Sequence, residues 1–426
     1  MNKITSKFWA FGIIFMLMIS VNSVRINAQD AQWRGPNRDG LFTDTSLLKE
    51  WPKEGPEILF VTEGLGRGFS STVATKDMIY ATGKKDSTEY LTAMDHSGKI
   101  LWQKPYGLCW NKSFPEARCT PTVEGDRVYV LSGMDKMTCF NSKTGNEIWS
   151  VDIHEEYNSS WDMFGVSESV LIVDDMILTS PAGKSTTVIA LDKMNGGLIW
   201  KSEPMDSHRC NMAPMAIKHC GKKYFITGTQ THLIGVDVEN GDILWTYHYN
   251  FLSPNGDNTT ILTNTPIYKD SCLWISNGWD VKSVMLEIAP DGKSVSEKFV
   301  DQTFDNQNHG LVLVDGFLYG SNFTGRNSGK WVCMNWSTGE ITWIADFHNK
   351  GPILSAEGML YCLEEKRGNI ALVKADPKEF KVISTFRIKE GKGPYWARPA
   401  IYEGKLLVRH GDVMIGYDIV NYAKAG

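Results

Sequence analysis

A hairpin that ends in tryptophan recurs along most of this chain. It reads AMDHSGKILW at 93–102, CFNSKTGNEIW at 139–149, ALDKMNGGLIW at 190–200, GVDVENGDILW at 235–245 and CMNWSTGEITW at 333–343. Each copy runs from an apolar strand end through a Gly-containing polar turn, the chemistry a tight reversal needs, into a second short strand. The interval between Trp245 and Trp343 is about twice the others, and a worn copy, LEIAPDGKSV at 286–295, fills it. A further worn copy, ALVKADPKEFKV, follows at 371–382.

A second hairpin precedes each of these. Its turn residues are Asp77, Asp126, Asp175, Gly221, Asp270, Gly316, Gly358 and Gly404, with separations of 42 to 49 residues. Residues 120–149 display the whole unit: an apolar run to Gly125-Asp126, a strand over 128–131, a break at Gly133, a strand over 137–140, then Thr144-Gly145 and Ile148-Trp149. A four-stranded meander cannot cover both of its own faces, so units with a period in the forties must cover one another. The fold class expected is therefore all-β, an eight-bladed β-propeller of four-stranded antiparallel blades. The last unit, 398–420, runs out after three strands. The segment EILFVTE at 57–63, with Phe60 where Trp stands elsewhere, is expected to supply the fourth and close the ring, which removes two exposed sheet edges. The repeated Trp residues are then packing between blades.

Residues 1–28 read as a secretory signal peptide: Lys3 and Lys7, an apolar run over 8–21, and Ala28 at a small-residue cleavage position,. That run is shorter than the roughly 20 residues needed to span a bilayer. No cysteine precedes Cys109, which excludes the bacterial lipoprotein route. The expected product is an exported, periplasmic or extracellular protein that is not a lipoprotein, has no transmembrane segment when mature, and is a monomer. Residues 29–426 are expected to form one propeller domain, with 29–66 as an N-terminal arm that includes the closing strand; its first part, 31–42, is expected to lie across the propeller. Loss of Lys3, Lys7 and Arg25 takes the formal charge from −5 to −8. An acidic surface without a Lys/Arg cluster argues against nucleic acid as a partner.

Eight cysteines are present. Cys139 and Cys333 hold the same place in two repeats and read as small core residues. Cys109 with Cys119, and Cys210 with Cys220, are candidate disulfides in an exported chain. No Cys/His cluster has zinc spacing.

In a propeller of this topology the loops joining successive blades gather at one mouth of the central channel. Here they carry Trp110 and Phe114 before Arg118, Trp161 and Phe164 before Glu168, and His208 and Arg209 before Asn211. Tyr249 and Phe251 precede Asp257 and Asn264, Asn308 adjoins His309, and Tyr395 and Trp396 precede Arg398. Aromatic planes with a few converging polar groups in a concavity make a ligand site. Its candidate residues are Arg118, Trp161, Glu168, Arg209, Asn211, Asn264, His309, Trp396 and Arg398. A small molecule, a glycan or a protein segment would fit there.

The start WRGPNRDG at 33–40 and the repeats of form D-x-x-[TS]-G-x-x-x-W resemble the PQQ-like (quinoprotein alcohol dehydrogenase-like) eight-bladed propellers, and more distantly the BamB-type outer-membrane assembly scaffold. That resemblance specifies a fold rather than a function, because the same ring serves dehydrogenases and non-catalytic scaffolds. In catalytic members an Arg of the second blade contacts pyrroloquinoline quinone (PQQ), a Glu and an Asn of the next two blades hold Ca²⁺, and an Asp beyond them is the base. The resemblance thus implies Arg118 for the quinone and Glu168 and Asn211 for calcium. The chain departs from the pattern in two ways: it has no adjacent Cys pair, and the fifth blade opens with Asn264, which cannot take a proton,. Asp257 lies seven residues upstream. The reading that follows is an exported binding or scaffold propeller, with a PQQ- and calcium-dependent oxidoreductase of alcohols, polyols or sugars as the alternative. His309 is the residue a sugar-active propeller would use as acid or base.

Overall fold

The computed structural model describes residues 30–249, 252 and 262–423. The segment 1–28, Phe251 and Asp257 lie outside the described residues. Eight sheets surround a central axis. Blades 1 to 7 occupy 73–108, 122–152, 171–201, 215–248, 267–301, 312–345 and 353–387. Blade 8 combines 400–418 with the outer strand Glu57–Thr62. Within blades 1 to 7 the strands follow chain order from the channel outwards.

Burial follows that order. The second strand of blade 2, Arg127–Leu131, is buried along four of its five residues, whereas the outer strand Glu147–Asp152 alternates. A strand covered on both faces reads as a continuous apolar run, and one covered on a single face reads with period two. The core accordingly lies between blades. Tyr129, Leu131 and Trp149 of blade 2 pack with Ile172, Ile177 and Leu191 of blade 3. Each fully buried side chain of this size contributes about 1.5–3 kcal/mol.

Three of the tryptophans dock on the hairpin turn of the following blade, whereas Trp245 packs on Gly235 of its own blade. Trp102 lies over Gly145, Trp149 over Gly196 and Trp200 over Gly241, and Trp149 Nε1–H also donates to Lys193 O at 3.2 Å. The seam where the ring closes uses the same contact. Phe60 covers Gly98 of blade 1, where a Cβ would stand 2.5 Å from the phenyl ring at φ +83°. Only glycine accommodates both that approach and that backbone. Glu57–Thr62 pairs antiparallel with Val413–Asp418 through Phe60↔Gly416 and Val61↔Ile415, so the closing strand is where the sequence puts it.

The arm lies across the ring and also enters its channel, with Asp30 at the Gly125 turn and Ser46 and Leu47 at the Glu357 turn of the same face. Ala31 bridges Val123 of blade 2, and Leu41–Phe42 pairs parallel with Ile353–Ala356, giving blade 7 a fifth, innermost strand. Beyond the channel Leu47 bridges Val420, and Trp51 packs edge-on against Phe386 at 4.8 Å. The channel is wide enough to leave inner-strand edges unpaired, and the arm covers one of them.

All eight cysteines are free, so neither candidate disulfide forms. Cys119 points to Val166 O and Cys210 to Gly228 O. Cys139 and Cys333 are buried and face their repeat's tryptophan in register, Trp149 and Trp343. Among the described residues no helix is long and apolar enough to cross a membrane. Only one short helix, Ile153–Tyr157, is found there, capped by Asp152.

Candidate functional site

The floor of the site comes from the arm. Residues 33–40 form a knot in which Gly35 N–H donates to Gln32 O, Arg38 N–H to Gly35 O and Gly40 N–H to Arg34 O. Four of these eight residues, Arg34, Gly35, Arg38 and Gly40, have positive φ. A side chain on Gly40 would meet the Arg34 guanidinium at 2.5 Å and Val312 at 2.9 Å, so the motif needs glycine there. Arg34 donates to Leu311 O of the loop entering blade 6. Arg38 donates to Ser169 O and Val170 O, both at 2.9 Å, of the loop entering blade 3. The knot therefore spans the channel and plugs it.

Trp33 sits at the centre, with the guanidinium carbons of Arg34, Arg38 and Arg398 at 5.5, 5.6 and 4.9 Å from its ring. Such contacts with an aromatic face stabilise a desolvated cation. Burial pulls the pKa of Arg34 down to about 10 and those of Arg38 and Arg398 to about 9. All three remain cations at neutral pH.

Above the floor opens a cavity of about 790 Å³. One wall is an aromatic arc contributed by the loops entering blades 1, 8, 2 and 3: Phe69 meets Trp396 at 4.9 Å, Trp396 meets Phe114 at 5.4 Å, and Phe114 meets Phe164 at 6.1 Å. The facing wall carries Trp279, Gln307, Asn308, Arg326 and Asn327. Phe114 and Trp279 stand at φ 44° and 54° and are 46% and 39% exposed. A bulky residue in the left-handed region is strained, and such strain concentrates at ligand clamps.

The structure brings four of the nine sequence-derived candidates, Arg118, Asn211, Trp396 and Arg398, to the cavity wall. Arg118 donates to Ser113 O and Phe114 O at 2.6 Å and to Phe164 O, which staples two of the aromatic loops. Asn211 donates to Asp162 and accepts from Ser167 Oγ at 2.8 Å, while burial raises the Asp162 carboxyl to about 6. Trp396 Nε1–H donates to Glu365 at 2.8 Å. Arg398 donates to Asn308 O, and its Nε has no partner.

The other five candidates do not line the cavity. Arg209 is buried and pairs with Asp135 at 2.9 Å and Glu168 at 3.6 Å, tying blade 2 to the loops entering blades 3 and 4. Burial pushes both carboxyls up, and Arg209 opposes that shift. Trp161 stacks on His154 at 4.1 Å. The Asn264 amide donates to Asn306 O and Gln307 O at 2.6 Å and accepts from Gly310 N–H at 3.2 Å. His309 is fully buried, with Nε2 3.1 Å from Glu365, and burial lowers its pKa. Burial acts to raise the Glu365 carboxyl, but His309 and Lys350, the latter at 3.5 Å, outweigh it and hold the group below the usual carboxylate range.

Sequence reasoning missed Trp33, Trp279, Arg326, Glu365 and Lys366. Four of these lie in hairpins between the second and third strands of their blades. Strands alternate in direction, so those hairpins share a face with the loops that join blades, a parity readable from the strand count alone. Trp33 was in view as part of a motif but not as part of the site.

The family model for outer membrane protein assembly factor BamB matches residues 87–344, well over half of the chain. The chain belongs to this PQQ-like propeller family. No curated protein matches it significantly. BamB from Moraxella catarrhalis is similar in structure at 16% identity and a TM-score of 0.61, over 85% of this chain and 99% of that one. A europium-containing methanol dehydrogenase is similar at 13% identity and a TM-score of 0.65, over 94% and 93%. The quinohemoprotein alcohol dehydrogenase ADHIIG from Pseudomonas putida HK5 is similar at 13% identity and a TM-score of 0.63, over 95% and 83%. At these identities the likeness is one of fold, and the family holds scaffolds and dehydrogenases on one ring.

Of the PQQ and calcium set that the resemblance implies, Arg118 and Asn211 reach the cavity wall and Glu168 does not. Glu168 is engaged by Arg209 behind the wall, and Asn211 is bonded to Asp162 and Ser167. Every polar atom of the Asn264 amide has a partner, and it has no basic site,.

Proposed function

We propose that this is an exported, monomeric binding propeller, periplasmic or extracellular, whose 29–426 domain holds a polar ligand such as a glycan at the channel mouth. The observation that carries this reading is the funnel itself. It is a cavity of about 790 Å³ with its outlet stopped by Trp33, an aromatic arc on one side and amide groups on the other. Aromatic planes take the apolar faces of a ring, while Asn211, Gln307, Asn308 and Asn327 offer donors and acceptors for its edges. Because the arm closes the channel, a ligand enters and leaves by one mouth.

The oxidoreductase alternative needs a base and a calcium set at the mouth, and the groups in those places are committed to other partners. Titration of the purified protein separates the two readings. Trp33, Trp279 and Trp396 line the cavity, so a glycan that binds there should change the intrinsic fluorescence and raise the melting temperature, with Trp396→Ala abolishing both signals. Reduction of a redox dye by an alcohol or sugar, dependent on added PQQ and Ca²⁺, would overturn the binding reading. Silence across a broad glycan panel would leave a scaffold without a small ligand.

A further inference from the structure

The funnel is opposite in sign to the rest of the molecule. The chain carries more acidic than basic residues, 49 against 44. Among the described residues, the cavity wall nevertheless bears Arg118, Arg326, Lys366 and Arg398 against a single carboxylate, Glu365. That carboxylate is already answered by Lys350, His309 and Trp396. Asp162, behind Asn211, is the next nearest acid and is held by that amide.

The arginine at the floor is the unusual one. Arg398 has no carboxylate partner: one hydrogen bond goes to the Asn308 carbonyl, Nε is unpartnered, and the guanidinium lies over Trp33. Arg34, also without an ion pair, adds a second cation beside the same ring. Buried cations elsewhere are satisfied: Arg209 has two carboxylates, Lys350 has one, and Arg409, without an ion pair, donates to four oxygens of Gly411, Ser70, Thr82 and Gly66. Arg398 is half-buried on the cavity wall; holding a charge partly out of water without a counter-ion is costly, and an anion arriving from solution removes that cost.

We propose that the funnel selects a negatively charged saccharide, with the sugar ring against Trp396 and Phe114 and its carboxylate or sulfate directed to Arg398. This rests on the binding reading above and specifies its ligand class. Trp396 and Arg398 leave the same loop and both line the cavity, so a ring stacked on Trp396 has the guanidinium within reach of its edge. Arg326 and Lys366, both exposed at the rim, draw the anion in and give association an ionic-strength dependence,. Arg118 is a positioning residue: it holds the carbonyls of the two loops that present Phe114 and Phe164.

The test is calorimetric titration of the full chain with four probes: trigalacturonate, a sulfated chondroitin tetrasaccharide, neutral cellotriose and triglutamate. The first or second should bind at least tenfold more tightly than cellotriose, and which of them does so identifies the anion. That preference should weaken when salt is raised from 50 to 500 mM. Arg398→Gln should remove the preference for the anionic saccharide over cellotriose, and Trp396→Ala should weaken binding of both. If Arg398→Gln does not fold, the double variant Arg326→Ala/Lys366→Ala, at the exposed rim, should still flatten the salt dependence. Equal binding of neutral and anionic sugars would overturn the charge inference and leave the glycan reading standing. Preference for triglutamate would overturn the saccharide, and no saccharide binding at all would overturn both.

Discussion

Two arginines of this ring came out of the sequence with equal standing, and the structure separates them. Arg209 lies behind the wall, ion-paired to Asp135 and Glu168, with Ser180 O accepting from Nε at 2.5 Å and Thr179 Oγ1 at 2.8 Å from Nη2. Arg398 lies on the cavity side with a carbonyl, an indole face and no carboxylate. Both precede inner strands and both sit among aromatics. Arg209 is held by two acids, and the buried Arg409 by four oxygen acceptors, whereas Arg398 has one hydrogen bond and an unpartnered Nε. A charge buried with its partners stabilises an interface, whereas one left incomplete keeps interaction energy in reserve for something that arrives later.

Four interventions test the contrast between the two arginines. The largest effect is expected from deleting 29–64, which removes Trp33, Arg34 and Arg38 from the floor but leaves the Arg209 cluster intact. It also strips Phe60 and Trp51 from the core, each worth about 3–5 kcal/mol as an alanine substitution. The ring should lose its cooperative melt or unfold far lower in a thermal scan, and an unchanged melting curve would show that the arm does not close it.

Next in size is Arg209→Met. It strands Asp135 and Glu168 in the interior, and breaking such a pair costs about 3–5 kcal/mol, read as a shift in the urea midpoint. A loss below 1 kcal/mol would mean that the cluster is not the fastening inferred here.

Glu89 supplies the mirror image of Arg398, a buried carboxyl with no ion pair that accepts from Tyr106 Oη at 2.5 Å and Gly133 N–H at 3.3 Å. Burial raises its pKa to about 7. The folded state therefore holds this proton when the unfolded chain has released it, so the contribution is present at low pH and fades as pH climbs from about 4.5 through 7. Glu89→Gln should flatten the fall in stability between pH 5 and 8, by an amount on the order of 1–3 kcal/mol at pH 8. A pH profile identical to wild type would rule this carboxyl out as the source.

The smallest effect is expected from Arg398→Gln on the unliganded protein. No acid is stranded and the repulsion from Arg34 is relieved, so the change should stay within about 1 kcal/mol. A loss as large as that of Arg209→Met would put both arginines in one class and dissolve the comparison.

Much of the architecture was legible because repetition is itself structural information. Glycines that recur in the turns and Trp residues that recur in the outer strands encode one contact, the indole of one blade over the turn of the next, and counting turns counts blades. Phe60 could be placed at the seam because a ring with seven complete units and one short unit leaves a single vacancy. The site was legible only in outline. Trp161 and Trp396 look alike in sequence, each aromatic in a loop between blades, yet Trp161 stacks on His154 and Trp396 faces the cavity. Loop residues have no period from which to read a direction.

What the sequence determined by itself is the set of contacts that repeat: blade number, strand order, the closing strand and the packing role of the tryptophans. What only the tertiary structure decided depends on residues far apart in the chain meeting once. Arg34 reaches Leu311, Arg38 reaches Ser169, and Arg398 settles on Trp33. That the arm plugs the channel, that Arg209 is completed by Asp135, and that Arg398 is left open are single events of packing. The physical reason is that a periodic contact is written once per repeat and can be read from any copy, whereas a unique long-range contact exists only after the ring has closed around it.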